Sequence, residues 1–243
     1  MSNEANITID DARALVADSA LWPRIRDFIW DFAPQVHTSW LEGLGLEAID
    51  AGRDVGSEES QVSSFMCSPR VKRFVLSSLG VPPCFYAFPK GDWSRLLLLD
   101  GPTLEAIAKW LGAIASVDAL RRVTDGATVR VLKASLPGIY PDVFSFTAYF
   151  KDLGISRADA ELQGAKDPAT GRRLVSKDVA SMGGAILVSL LASLPQALVS
   201  RLKLKLPKGL CDSAPLRLKS ETCGKALAKL LKLKFPEAYK LCC

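Results

Sequence analysis

Hydrophobic and polar positions alternate at helical spacing along most of this chain. The best-formed unit is residues 96–136, LLLLDGPTLEAIAKWLGAIASVDALRRVTDGATVRVLKASL, where Leu104, Ile107, Ala108, Leu111 and Ile114 recur every three or four residues. That spacing turns one face of a helix toward a core. Asp100-Gly101-Pro102-Thr103 starts the helix, with capping side chains and a proline where a first turn tolerates one. A second short segment, residues 117–123, carries Arg121-Arg122. A third opens at Asp125, whose carboxylate can accept from the free amides of the next turn, and runs through Val129, Leu132 and Leu136 to Pro137-Gly138.

The same pattern predicts helices elsewhere. Asp10-Asp11 caps a first one carrying Ala14, Leu15 and Ala17, and Ser19 opens another over residues 21–32 with Ile25, Phe28, Ile29 and Phe32 on its stripe. Residues 30–41, WDFAPQVHTSWL, read as an ordered loop or broken helix. Glycines 43, 45, 52 and 56 read as turns, since no strand precedes them to form a phosphate-binding loop. Helices follow over residues 57–66 and 70–79, the second ended by Gly80 and Pro82-Pro83. The aromatic stretch 84–93 reads as core anchoring, because it is too poor in basic residues for a base-stacking platform. A helix from Pro141-Asp142 carries Val143, Phe144, Phe146, Phe150 and Leu153. Residues 154–177 turn polar and read as a surface insertion with at most a short helix.

Residues 179–200 contain no charge, which is length enough for a membrane span. Gly183-Gly184, the serines, Gln196 and Pro195 favour a buried hairpin instead, with one helix up to Leu194 and a second from Pro195. In residues 198–206, LVSRLKLKL, strand alternation and the four-residue spacing of Leu198, Leu202 and Leu206 fit equally well. Residues 225–235 form a basic amphipathic helix, with Leu227, Leu230 and Leu231 on one face and Lys225, Lys229 and Lys232 on the other. The expected fold is therefore mainly α, a compact multi-helix domain with little or no β. Its expected division is a helical domain over 1–207, with the polar insertion inside it, and a basic extension over 208–243.

The 243 residues carry a net charge of +5, distributed unevenly. From Arg201 onward eleven basic residues face three acidic ones, giving the tail +8 and the first 200 residues −3. Such asymmetry fits an acidic partner, an anionic membrane surface or nucleic acid, with Lys225, Lys229 and Lys232 as the contact residues. A terminal helix that covers the domain with solvated lysines fits the same residues. The six cysteines form no C-x-x-C pair and lie far in sequence from the single His37, so no metal site or cofactor is expected. His37 has no adjacent nucleophile, and no catalytic residue is expected. The acidic first residues lack the basic leader and apolar run of a secretory signal; with unpaired thiols, this points to the reducing cytoplasm.

Three blocks in order resemble a known family. Leu96–Leu99, Trp110-Leu111-Gly112, Leu120-Arg121-Arg122 and Asp125-Gly126-Ala127 are similar to the central block of the K subunit of type III secretion sorting platforms, the SctK/YscK/PscK family. Phe32-Ala33-Pro34 followed by His37-Thr38-Ser39-Trp40-Leu41 is like that family's N-terminal segment, with Thr38 in place of the usual proline. Residues 190–207, LLASLPQALVSRLKLKLP, are like its C-terminal leucine–proline segment. The resemblance implies a non-catalytic adaptor on the cytoplasmic side of the inner membrane of a Gram-negative bacterium. Such an adaptor links the cytoplasmic domain of the inner-membrane ring protein (SctD-like) to the pod protein (SctQ-like). Arg121 and Arg122 are the candidate partner contacts, since arginine pairs with carboxylates in a bidentate way; an ion pair within the domain is the alternative.

Overall fold

The computed structural model describes residues 21–44, 68–82, 86–146, 168–210, 216, 218 and 220–243. Among them the chain is mainly helical, with no strand or sheet. In order come α1 (Trp22–Trp30), α2 (Thr38–Leu41), α3 (Pro69–Ser78), α4 (Gly101–Ala115), α5 (Val117–Arg121), α6 (Gly126–Ser135), α7 (Asp142–Phe146), α8 (Pro168–Leu190), α9 (Gln196–Lys205), α10 (Ser220–Lys234) and α11 (Pro236–Cys242). Short 3-10 turns cover Ala33–Gln35, Glu42–Leu44 and Trp93–Leu98. The helices expected near residues 10–17 and 57–66 lie outside the described residues, as do the side chains of Phe146, Tyr149 and Phe150.

The contacts divide the chain into two compact units. The first holds Met1–Gly101, Leu194–Lys208 and Cys242. Its core is aromatic: Phe28 meets Phe32 at 5.5 Å and Phe88 at 5.6 Å between ring centroids, both edge-on, and all three rings are fully buried. Edge-on pairs of this kind add roughly 1 kcal/mol each to the area they bury. Phe88 holds a left-handed φ of 48°, which costs a residue with a Cβ about 1–2 kcal/mol. The Arg95 Nε donates to the Phe88 carbonyl at 2.9 Å, and Phe88 also stacks edge-on against Tyr86, so the site is held from both sides. Aromatic anchoring by this stretch was the sequence expectation.

The second unit holds Pro102–Ser193, Gly209–Leu241 and Cys243. The stripe read from sequence on α4 (Leu104, Ile107, Ala108, Leu111 and Ile114) is buried throughout, joined by Leu120, Leu132, Ile186, Leu187, Leu227, Leu230 and Leu231. Asp125 caps α6 as expected, its Oδ2 accepting from the Thr128 amide at 2.9 Å and the Thr128 hydroxyl at 2.6 Å. Asp125→Ala should cost about 1 kcal/mol by removing that cap, read as a lower urea midpoint with unchanged slope.

Helix boundaries settle three open readings. The apolar stretch is two helices: α8 ends at Leu190, and Pro195 precedes α9. No helix among the described residues is long and apolar enough to cross a membrane. Residues 198–205 are helical, not extended. The polar stretch is more helical than its composition suggests, because α8 already begins at Pro168.

Candidate functional site

In the first unit, two resemblance blocks far apart in sequence meet. The His37 amide donates to the Leu204 carbonyl at 2.8 Å, and the Trp40 indole Nε1 donates to the Leu206 carbonyl at 2.9 Å. The Lys208 amide donates to the Ser39 hydroxyl at 2.8 Å, and the Lys208 ammonium lies 5.8 Å from the Trp40 ring. His37 has a structural task here. Its Nδ1 accepts from the Ser39 amide at 3.2 Å and sits 2.8 Å from the Ser39 hydroxyl, capping α2.

The central block is joined to them through α9. Lys205, 2% exposed, donates to the Leu97 carbonyl at 2.6 Å and the Leu99 carbonyl at 2.7 Å. Those carbonyls end the 3-10 turn Trp93–Leu98, where the backbone has run out of partners of its own. One turn earlier, Arg201, also 2% exposed, donates to the Phe28 and Ile29 carbonyls and to the Pro82 carbonyl at 3.3 Å. Its guanidinium lies 5.4 Å from the Phe28 ring centre and 5.1 Å from that of Phe32, and the Lys205 ammonium is 5.2 Å from Phe28. Ring faces and carbonyls replace the water these cations gave up. Burial pushes the Lys205 pKa down to about 7, with Asp100 pulling it back up and Arg24 and Arg201 adding to the fall.

Sequence reading counted Arg201 and Lys205 among the charges of a basic tail; the structure places both in the core of the first unit. The rest of that tail is also partly neutralised. Lys225 pairs with Glu221 at 2.6 Å, Lys234 with Asp142 at 3.1 Å, and Lys240 with Glu237 at 2.7 Å. Lys234 also lies 4.8 Å from the Trp110 ring. The hydrogen bond from Lys225, with its charge, holds the Glu221 carboxyl below the usual range. Lys225 and Lys232 are exposed on α10, with Lys229 between them on the same face, as expected. The opposite, apolar face, with Leu227, Leu230 and Leu231 all at 0% exposure, is packed into the second unit.

Arg121 and Arg122 end α5, both exposed. Arg121 approaches Asp118 at 3.8 Å, the ion pair within the domain that the sequence had as its alternative. Among the described residues no three His, Cys, Asp or Glu side chains stand close enough to hold a metal ion. Cys223, whose pKa burial pushes up to about 11, is a thiol at neutral pH and a poor nucleophile.

A family model described as YOP proteins translocation protein K (YscK) matches residues 56–243, well over half of the chain, and the chain belongs to that family. No curated protein and no solved structure matches it. The match covers the second and third resemblance blocks. The first, residues 32–41, lies ahead of it and is tied to the third by the His37 and Trp40 hydrogen bonds.

Proposed function

We propose that this member of the YscK family is a non-catalytic adaptor of a type III secretion sorting platform, joining the cytoplasmic domain of the inner-membrane ring protein to the pod protein. The family is one of type III secretion translocation proteins, which fixes the process; the adaptor role and both partners are the further step. The observation that carries the reading is the family match over residues 56–243. The architecture agrees with it: the single histidine, His37, caps α2, and the buried cations of α9 hold the backbone of the first unit together. On this reading the protein works in the cytoplasm, at the inner membrane of a Gram-negative bacterium, without a cofactor.

The second sequence reading, a basic tail binding an anionic membrane or nucleic acid, loses support from the same geometry. Two of its cations are buried, three others have carboxylate partners, and the apolar face that an interfacial helix would insert into lipid is packed inside the protein. The full chain co-expressed with the ring protein's cytoplasmic domain and with the pod protein should purify with both. Recovery with neither would sink the adaptor reading, and flotation with anionic vesicles in their place would restore the second.

A further inference from the structure

Three exposed cations on and beside α5 and α6 have no carboxylate partner among the described residues: Arg122, Arg130 and Lys133. The nearby carboxylates are engaged. Asp118 faces Arg121, and Asp125 takes the amides of Ala127 and Thr128 and the Thr128 hydroxyl. Arg130 and Lys133 are three residues apart on one helix, where side chains stand about 5–6 Å apart and like charges repel. An anionic partner would relieve that repulsion. The backbone beneath them is fixed, because Leu132 and Leu136 are buried at 0% and 1% and Asp125 caps the helix. Binding therefore has only the side chains to order, at roughly 0.5–1.5 kcal/mol each.

We infer that Arg130 and Lys133, three residues apart on α6, together with Arg121 and Arg122 at the end of α5, make a carboxylate-binding surface of the second unit that docks an acidic protein segment. The inference rests on the adaptor reading for the identity of that partner. Lys133 lies in the last turn of α6, where its charge also suits the helix dipole, so the two arginines carry most of the recognition. Their planar forks pair with carboxylates through two parallel hydrogen bonds. A lipid or nucleic-acid partner fits less well. The large apolar side chains exposed among the described residues are Trp30, Phe74 and Leu233, none of them on α5 or α6. This surface therefore has no large exposed apolar group to insert into lipid and no aromatic to stack on a base.

The test uses the full chain as wild type, as Arg122→Glu/Arg130→Glu/Lys133→Glu, and as the control Lys225→Glu/Lys229→Glu/Lys232→Glu. Probes are the purified ring-protein domain, the purified pod protein, poly-L-glutamate, and phosphatidylglycerol-containing vesicles. Circular dichroism with a thermal melt checks that each variant folds. The first variant should bind one of the two proteins roughly tenfold or more weaker, while the α10 control binds as wild type does. Arg122→Lys/Arg130→Lys should recover only part of the affinity, because lysine keeps the charge and loses the fork. Equal binding by wild type and the first variant, equal loss in the α10 control, or vesicle binding lost through the same three residues would each overturn the inference. If wild type binds neither protein, the adaptor reading fails and poly-L-glutamate decides. Salt-sensitive binding lost in the first variant upholds the surface; no binding, or binding unchanged by the substitutions, refutes it.

Discussion

Gly183→Ala should be among the most damaging changes at the described glycines, with an expected cost to the second unit of about 3–5 kcal/mol. A Cβ built at Gly183 overlaps the Ala108 carbonyl oxygen and stands 3.0 Å from the Gly112 amide nitrogen. The reverse holds across the crossing: a Cβ at Gly112 overlaps the Val179 carbonyl oxygen and comes within 2.9 Å of the Gly183 nitrogen. Every atom in the way is backbone, so no rotamer change makes room, and α4 and α8 would have to part. They cannot part cheaply. Ile107 and Leu111 on one helix and Ile186 and Leu187 on the other are at most 1% exposed, and a gap of even an ångström forfeits much of their dispersion contact. Against this, alanine regains only about 1 kcal/mol of helix propensity over glycine.

Gly126→Ala is the control, since it makes the same chemical change in the first turn of α6 where a Cβ would meet nothing within 4 Å. It should be neutral or stabilising by up to about 1 kcal/mol. Hydrogen exchange of α4 and the described part of α8 separates the two outcomes. Protection should collapse in Gly183→Ala and Gly112→Ala and stay intact in Gly126→Ala. Full protection in Gly183→Ala would show that the helices do not cross as closely as described.

These two glycines also mark where sequence reading stopped. The α4 stripe was legible because burial of Leu104, Ile107 and Leu111 leaves a period that local sequence carries. The cap at Asp125 and the break at Pro195 were legible for the same reason: their partners lie within a few residues. Gly112 and Gly183 carry no such mark, because what they accommodate is a backbone some seventy positions away in the chain. Arg201 and Lys205 failed differently. In LVSRLKLKL a cation beside a leucine reads as the wet side of a helix, and a buried cation is expected to show itself by a carboxylate partner. The partners here are main-chain carbonyls at Phe28, Ile29, Pro82, Leu97 and Leu99, a group that every residue has and that no sequence advertises. The ordered blocks behind the family resemblance were visible, whereas the reason they occur together was not. In the structure, α9 and its exit bind residues of both earlier blocks.

Lys205→Met should change both the stability of the first unit and its dependence on pH. The thioether fills most of the space of the lysine stem but cannot donate, so the Leu97 and Leu99 carbonyls lose the partner that ends their 3-10 turn. Each buried carbonyl left without a donor costs about 1–3 kcal/mol, partly offset because no ammonium need be desolvated, for a net loss of about 2–3 kcal/mol near neutral pH. In the native protein burial holds the Lys205 pKa at about 7 instead of 10.5. Between those values the unfolded chain binds the proton and the folded chain does not, so stability should rise with pH through that window. Below it both states are charged and the contribution is flat. At roughly 1.4 kcal/mol for each pH interval of one, the rise across the window is at most about 5 kcal/mol, and the ring and carbonyl contacts that favour the ammonium reduce it. The neutral amine still has two N–H groups for its two carbonyls, so no contact is given up as the proton leaves. Urea unfolding of wild type and Lys205→Met at pH 6, 7.5, 9 and 10 cancels the other titrating groups in the difference. That difference should widen with pH. A constant gap would mean Lys205 keeps its charge throughout, and no gap at all would mean that α9 does not hold the 3-10 turn through this side chain.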